Sequence, residues 1–133
     1  MLRAIIVDHE QPAGEWLNRL LTENGSIQVV GCFTKAQEAL DKMSQLRPDA
    51  AFVDIRMPLM SGVELIRRIR ERDPAIEIIC VSGYVEYALR AFELQVLDFV
   101  AKPPTAERLQ ITVKRLLKHH RKERGEREIG LMD

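Results

Sequence analysis

Long apolar runs are missing from this 133-residue chain; none approaches the roughly 20 residues that a membrane-spanning helix needs. The first apolar stretch, Arg3–Val7, is too short and too soon charged, with Arg3 at one end and Asp8 at the other, to be a signal peptide. Cysteine is scarce as well. Cys32 and Cys80 each lie in or beside a strand-like run, so they read as buried free thiols of a protein in a reducing compartment. There is no net charge: 20 Lys and Arg balance 20 Asp and Glu. The balance is uneven, because the stretch from Lys114 onward carries seven basic and four acidic residues. The preceding body therefore holds 13 basic and 16 acidic residues, a net of −3, and is no nucleic-acid binder on electrostatic grounds. Repeats, low-complexity tracts and an interdomain linker are also lacking.

What is present is the composition of one globular domain, 46% hydrophobic and 30% charged, long enough to bury a core. Apolar runs at Arg3–Val7, Ile27–Gly31, Ala50–Val53, Ile76–Val81 and Val96–Val100 predict five strands. Between them, Gln11–Glu23, Thr34–Leu46, Gly62–Arg70 and Tyr84–Leu94 read as amphipathic helices, with a last one at Thr105–Arg121. Ser61-x-x-Glu64 and Thr34-x-x-Gln37 fit capping boxes. Strands without polar alternation suit burial on both faces, and the strand–helix alternation implies right-handed crossovers. The expected architecture is α/β, a doubly wound five-stranded parallel sheet with helices on both faces.

In such sheets ligands bind outside the carboxyl ends of the strands. Those ends carry Asp8, His9 and Glu10 after the first strand, Asp54 after the third, Ser82 and Gly83 after the fourth, and Lys102-Pro103 after the fifth. A lone Asp at a strand end is most often a turn former. Asp54 stands out through its company, and through Pro58 and Gly62, which end the strand and open the next helix. Clustered carboxylates repel unless a cation sits among them, and oxygen donors of this kind suit Mg²⁺. A lysine and a hydroxyl beside them would hold an anion. The sum is a seat for a phosphoryl group above a carboxylate nucleophile.

These residues resemble the receiver domains of bacterial two-component response regulators, over nearly the whole chain to about His120. The matching pieces are Ile6-Val7-Asp8-His9-Glu10, Val53-Asp54-Ile55-Arg56-Met57-Pro58 with Gly62, Val81-Ser82-Gly83-Tyr84 and Asp98-Phe99-Val100-Ala101-Lys102-Pro103. The stretch Tyr84–Phe92 is similar to the fourth helix of receivers joined to LytTR-type or other transcriptional activator domains. The resemblance implies a flavodoxin-like sheet of strand order 2-1-3-4-5, with residues 1–121 as the receiver and 122–133 as a charged extension or the start of a linker. It implies that Asp54 accepts a phosphoryl group from a sensor histidine kinase and that Lys102 pairs with the phosphoryl oxygens. It assigns Ser82 as the hydroxyl that swings towards them, Gly83 as the position kept small for phosphate entry, and Phe99 as the aromatic switch. It gives Asp8, Asp54 and the Arg56 carbonyl as metal ligands, and a cis bond before Pro103.

His9 departs from the pattern, because the family usually has a second, metal-binding acid there. Imidazole is a poorer Mg²⁺ ligand and brings no negative charge. Three readings follow: a weakened or redirected metal with Glu10 as the compensating acid, a degenerate receiver acting as a phosphorylation-independent interaction module, or a seat for a softer ion such as Mn²⁺. A small phosphatase with an aspartyl nucleophile would want an Asp two residues after Asp54, where Arg56 stands. The expectation is thus a self-phosphorylating acceptor in the bacterial cytoplasm and not a turnover enzyme. It would control transcription through an output domain that is separate or lies outside this chain. Its face of helix 4, strand 5 and helix 5, with Tyr87, Arg90, Glu93, Arg108 and Lys114, would serve a phosphorylation-dependent homodimer. Phe99, lacking a hydroxyl, is expected to lean inward even without phosphate.

The remaining features invite blander readings. Trp16 is expected to pack partly against the sheet or a neighbouring helix. Tyr84 lies where the path of a hydrolytic water would pass, so either a surface role or an effect on phosphoryl lifetime fits. His119 and His120 point about 100° apart on a helix and read as a solvated end, not a metal pair. The mixed-sign tract Lys118–Arg127 reads as solvated, without DNA contact.

Overall fold

A computed structural model describes residues 1–132 of the chain, with side chains to His120. Five strands, β1 (Leu2–Val7), β2 (Ile27–Phe33), β3 (Ala50–Val53), β4 (Glu77–Ser82) and β5 (Asp98–Ala101), form one sheet in the order β2-β1-β3-β4-β5. All four neighbouring pairs run parallel. The helices are α1 (Gln11–Asn24), α2 (Ala36–Leu46), α3 (Gly62–Arg72), α4 (Ala88–Glu93) and α5 (Ala106–Met132). Among the described residues, no helix is long and apolar enough to cross a membrane.

Successive strand residues feed opposite faces. Ile5, Val7, Ala51, Val53, Ile78 and Cys80 join one apolar layer with buried residues of α2, α3 and α4. Ala4, Ile6, Phe52, Ile79, Val81 and Val100 join the other, under Leu17 and Leu21 of α1 and Leu109, Val113 and Leu116 of α5. This double burial is why the strands read as unbroken apolar runs.

The differences from the expected elements have local causes. The helix expected at Tyr84–Leu94 is split: Tyr84 is extended, Val85–Tyr87 form a 3₁₀ turn, and only Ala88–Glu93 are α-helical. It stops because Gln95 adopts the left-handed region at φ 56°, and Arg70 of α3 donates to the carbonyls of both Leu94 and Gln95. Val96 and Leu97 are spent in that connection, so β5 begins at Asp98. The capping box at Thr34 does not form. Lys35 precedes α2 without a side-chain cap, and the Gln37 amide donates to Asp41 instead. The box at Ser61 forms by half: the Glu64 backbone N–H donates to Ser61 Oγ at 3.2 Å, while the Glu64 carboxylate pairs with Arg67 and Arg68. Cys80 is buried as expected, and burial pushes its thiol up to about 12. Cys32 is exposed, contrary to the expectation of a buried thiol. The helix begun at Ala106 continues past the boundary drawn at residue 121. The charged extension at 122–133 otherwise lies outside the described side chains.

Candidate functional site

The carboxyl ends of β1, β3, β4 and β5 open into a cleft of about 700 Å³ lined by His9, Asp54, Arg56, Gly83, Tyr84 and Lys102, among others. Parallel pairing places its floor. Val7 is paired with Val53, and the Asp54 N–H donates to the Val7 carbonyl at 2.9 Å, so Asp8 and Asp54 leave adjacent strands side by side. Gly62 holds this floor from the other side. A Cβ there would collide with the Asp54 carbonyl oxygen and stand 2.5 Å from Ile55 Cα, so only glycine lets α3 start this close to the strand end.

Asp54 is buried and fully engaged. Its Oδ2 receives Lys102 Nζ at 3.2 Å and faces His9 Nδ1 at 3.0 Å, and its Oδ1 accepts the Arg56 backbone N–H at 3.2 Å. Lys102 lies closer to the other acid, with Nζ 2.6 Å from Asp8 Oδ2. Burial raises the Asp54 carboxyl above the ordinary range, and the charge of Asp8 adds to the rise against the opposing pull of Lys102. Burial would depress Lys102, but its hydrogen bond and charge attraction to Asp8, with those to Asp54, hold it above its usual value. The lysine is thus firmly cationic between two acids.

The sequence-based residues converge to differing degrees. Asp8, His9 and Asp54 bring donor atoms within 4.8 Å of one another, the arrangement of a divalent-cation seat. His9 is therefore in the cleft and not turned away from it. Glu10 is not part of that group. Its side chain is 64% exposed, with Oε1 3.6 Å from His9 Nε2, while its backbone N–H donates to Asp8 Oδ1 at 3.0 Å. Ser82 is wholly buried at the edge, its Oγ accepting the Tyr84 N–H at 3.1 Å. A Cβ on Gly83 would meet open space, so any need for smallness there comes from what enters the cleft. Tyr84 and Arg56 line the cleft together, with the guanidinium 4.5 Å from the ring centroid. Phe99 is half-buried and packs on the α2–α3–α4 side of the sheet. The Lys102–Pro103 bond is cis.

Sequence reasoning missed several supports. Trp16 donates its indole N–H to the Pro104 carbonyl at 3.0 Å, tying α1 to the segment behind Lys102, a bond beyond the partial packing expected of it. Leu59 has φ 69° and is fully exposed, with the Met60 N–H bonded to the Pro58 carbonyl at 2.8 Å; this strained γ-turn in the β3–α3 loop had no sequence signal. Asp98 is gripped by Arg108, Thr112 and Arg115. Here a signal existed: one Asp in an apolar run, followed by polar partners at helical spacing. His119 is not simply solvated, since its Nε2 lies 2.8 Å from Glu77 Oε1.

Comparison with known proteins agrees with this geometry. The profile of the response regulator receiver domain matches residues 4–114. An uncharacterized response regulatory protein of Vibrio cholerae serotype O1 is 44% identical over 122 residues, 92% of this chain and 51% of that protein. The transcriptional regulatory protein BtsR of Salmonella typhi is 37% identical over 134 aligned positions, 99% of this chain and 53% of that protein. The chain thus spans about half the length of the curated relatives it matches. Among solved structures, the REC domain of AraT, a response regulator from Geobacillus stearothermophilus, matches with TM-score 0.85 and 31% identity, over 92% of this chain and 98% of that one.

Proposed function

Because this chain belongs to the response regulator receiver domain family, we propose that it is a signalling switch whose Asp54 takes a phosphoryl group from the phosphohistidine of a sensor kinase. The observation that carries the proposal is the environment of Asp54: a buried carboxylate with Lys102 at 3.2 Å, facing an open cleft. One Asp54 oxygen attacks phosphorus, the P–N bond to the kinase imidazole breaks, and the imidazole leaves with the bond's electron pair. Lys102, now shared between Asp8 and Asp54, would follow the charge to the phosphoryl oxygens. Ser82 would exchange its bond from the Tyr84 N–H for one to those oxygens, vacating space for the Phe99 ring.

The donor set fits a divalent cation, since two buried carboxylates and one lysine leave a net negative charge. Asp8, Asp54 and the Arg56 carbonyl would hold that ion, Mg²⁺ or Mn²⁺, and its positive charge would offset that of the incoming phosphoryl oxygens. The stacked Arg56 and Tyr84 lining the cleft would slow water and lengthen the life of the acyl phosphate.

The output would be read on the face of α4, β5 and α5. The mixed charges there are largely satisfied within the chain: Arg90 pairs with Glu93 at 3.3 Å, and Arg108 with Asp98 at 2.8 Å. Beside them lies an exposed apolar stripe, Val85 of the 3₁₀ turn with Leu89 and Phe92 of α4, Phe92 being 80% exposed. A second copy would cover that stripe once Phe99 moves, and an output domain would act on transcription in a bacterial cytoplasm. A phosphate-affinity gel after acetyl phosphate with Mg²⁺ tests the switch: the wild type should shift and Asp54→Asn should not. A shift that survives in Asp54→Asn would reject the assignment.

A further inference from the structure

The three side chains that meet at the end of β1 and β3 do not make the all-oxygen seat of a Mg²⁺ site. His9 Nδ1 lies 3.0 Å from Asp54 Oδ2 and 4.0 Å from Asp8 Oδ1. Two donors bound at right angles to one ion at about 2.1 Å stand about 3.0 Å apart, so the His9–Asp54 separation already matches one edge of a coordination polyhedron. With a proton between them, the two atoms form a hydrogen bond; with a cation there instead, they become neighbouring ligands. The other ring nitrogen, Nε2, faces the Glu10 carboxylate at 3.6 Å. A carboxylate behind the far nitrogen of a ligating imidazole keeps the proton on that nitrogen and strengthens the near one as a donor. Glu10 would then act on the ion through His9, and not as a ligand.

We propose that Asp8, His9 and Asp54 form a mixed nitrogen–oxygen seat selective for a first-row transition ion of the Mn²⁺ class over Mg²⁺, with Glu10 as the positioning residue behind His9. The physical reason is the exchange of a hard anionic donor for a neutral, softer one. Mg²⁺ loses a carboxylate and the Coulomb attraction that came with it. A transition ion loses the same charge but gains a nitrogen ligand it accepts well. The proposal rests on the receiver reading for the place of the seat, but not for its selectivity.

Mn²⁺ added to the full chain provides both probe and readout. Pulsed electron paramagnetic resonance should show a directly coordinated ¹⁴N, replaced by ¹⁵N when histidine is isotopically labelled. Competition by Mg²⁺ should give a Mn²⁺ preference at least tenfold greater in the wild type than in His9→Asp. Glu10→Gln should weaken Mn²⁺ severalfold in the wild-type background and leave the His9→Asp background unchanged. An Mn²⁺ signal without nitrogen coupling, no Mn²⁺ binding at all, or a preference that His9→Asp does not alter would overturn the seat. The readout is independent of phosphoryl transfer. A protein that shows the coupling but takes no phosphoryl group upholds the seat and rejects the receiver reading; one that is phosphorylated without the coupling does the reverse.

Discussion

Two buried aspartates at opposite ends of the sheet are held in contrary ways. Asp54 leaves the carboxyl end of β3 at 4% exposure, and Asp98 opens β5 at 7%. Asp98 receives Arg108 through two nitrogens at 2.8 and 2.9 Å, the Thr112 hydroxyl at 2.7 Å and Arg115 at 3.0 Å. Burial alone would raise its carboxyl, but the hydrogen bonds from Arg108 and Thr112 and the charges of both arginines hold it below the ordinary range. Asp54 shares its single lysine with Asp8 and is raised. One carboxylate is neutralised by its surroundings and locks α5 to β5. The other is under-neutralised and faces a cleft, which suits the nucleophile proposed for it. Burial of an acid is therefore no guide to its role; the charge count around it is.

The sharpest break of this comparison comes from exchanging each acid for its amide. Asp54→Asn should abolish phosphoryl uptake and leave the fold as stable or more stable, by up to about 1 kcal/mol in urea unfolding, because a desolvated charge beside Asp8 is removed. Asp98→Asn should retain phosphoryl uptake but cost about 2–3 kcal/mol, since one of the two oxygens that accept from Arg108 and the buried Thr112 or from Arg115 becomes an NH₂ donor and the charge facing both arginines is lost.

The pH dependence of stability should separate the two next. Asp98, depressed in the folded state, contributes stability that is present above its unfolded pKa of about 3.9 and is lost as pH falls through the folded value. Asp54, raised, works in the other sense: the fold loses stability as pH climbs from about 3.9 through the raised folded value, because the unfolded chain ionises first. Urea midpoints measured across pH should show Asp98→Asn flattening the acid limb and Asp54→Asn flattening the decline above it.

The smallest effect distinguishes the two arginines. Arg108→Ala should cost about 1–2 kcal/mol through the lost bidentate pair. Arg115, whose side chain is 53% exposed, should cost under about 0.5 kcal/mol on removal because solvent screens it. Equal costs would show that the lock is a diffuse charge cluster and not a directed pair.

Much of this was legible in the chain, for physical reasons that differ by region. Strands buried on both faces announce themselves as apolar runs, and Asp8, Asp54, Ser82 and Lys102 stand at their ends because the polar residues begin where the sheet stops. The α4 region was misread because its first turn does not become α-helix: Tyr84 is extended and Val85–Tyr87 wind as a 3₁₀ turn. Neither leaves a local pattern. His9 could be identified as a departure, but only the meeting of β1 with β3 shows that its ring faces Asp54 while Glu10 stands behind. Periodicity cannot say which way a strand-end side chain turns.

Chemical trapping tests directly whether Asp54 is the acceptor. Protein treated with acetyl phosphate and a divalent cation is reduced with borohydride, which converts an acyl phosphate to the alcohol, and the modified residue is located by peptide sequencing. Homoserine is expected at position 54 alone. Homoserine at position 8, or none at any aspartate of a protein that has gained a phosphoryl group, would contradict it.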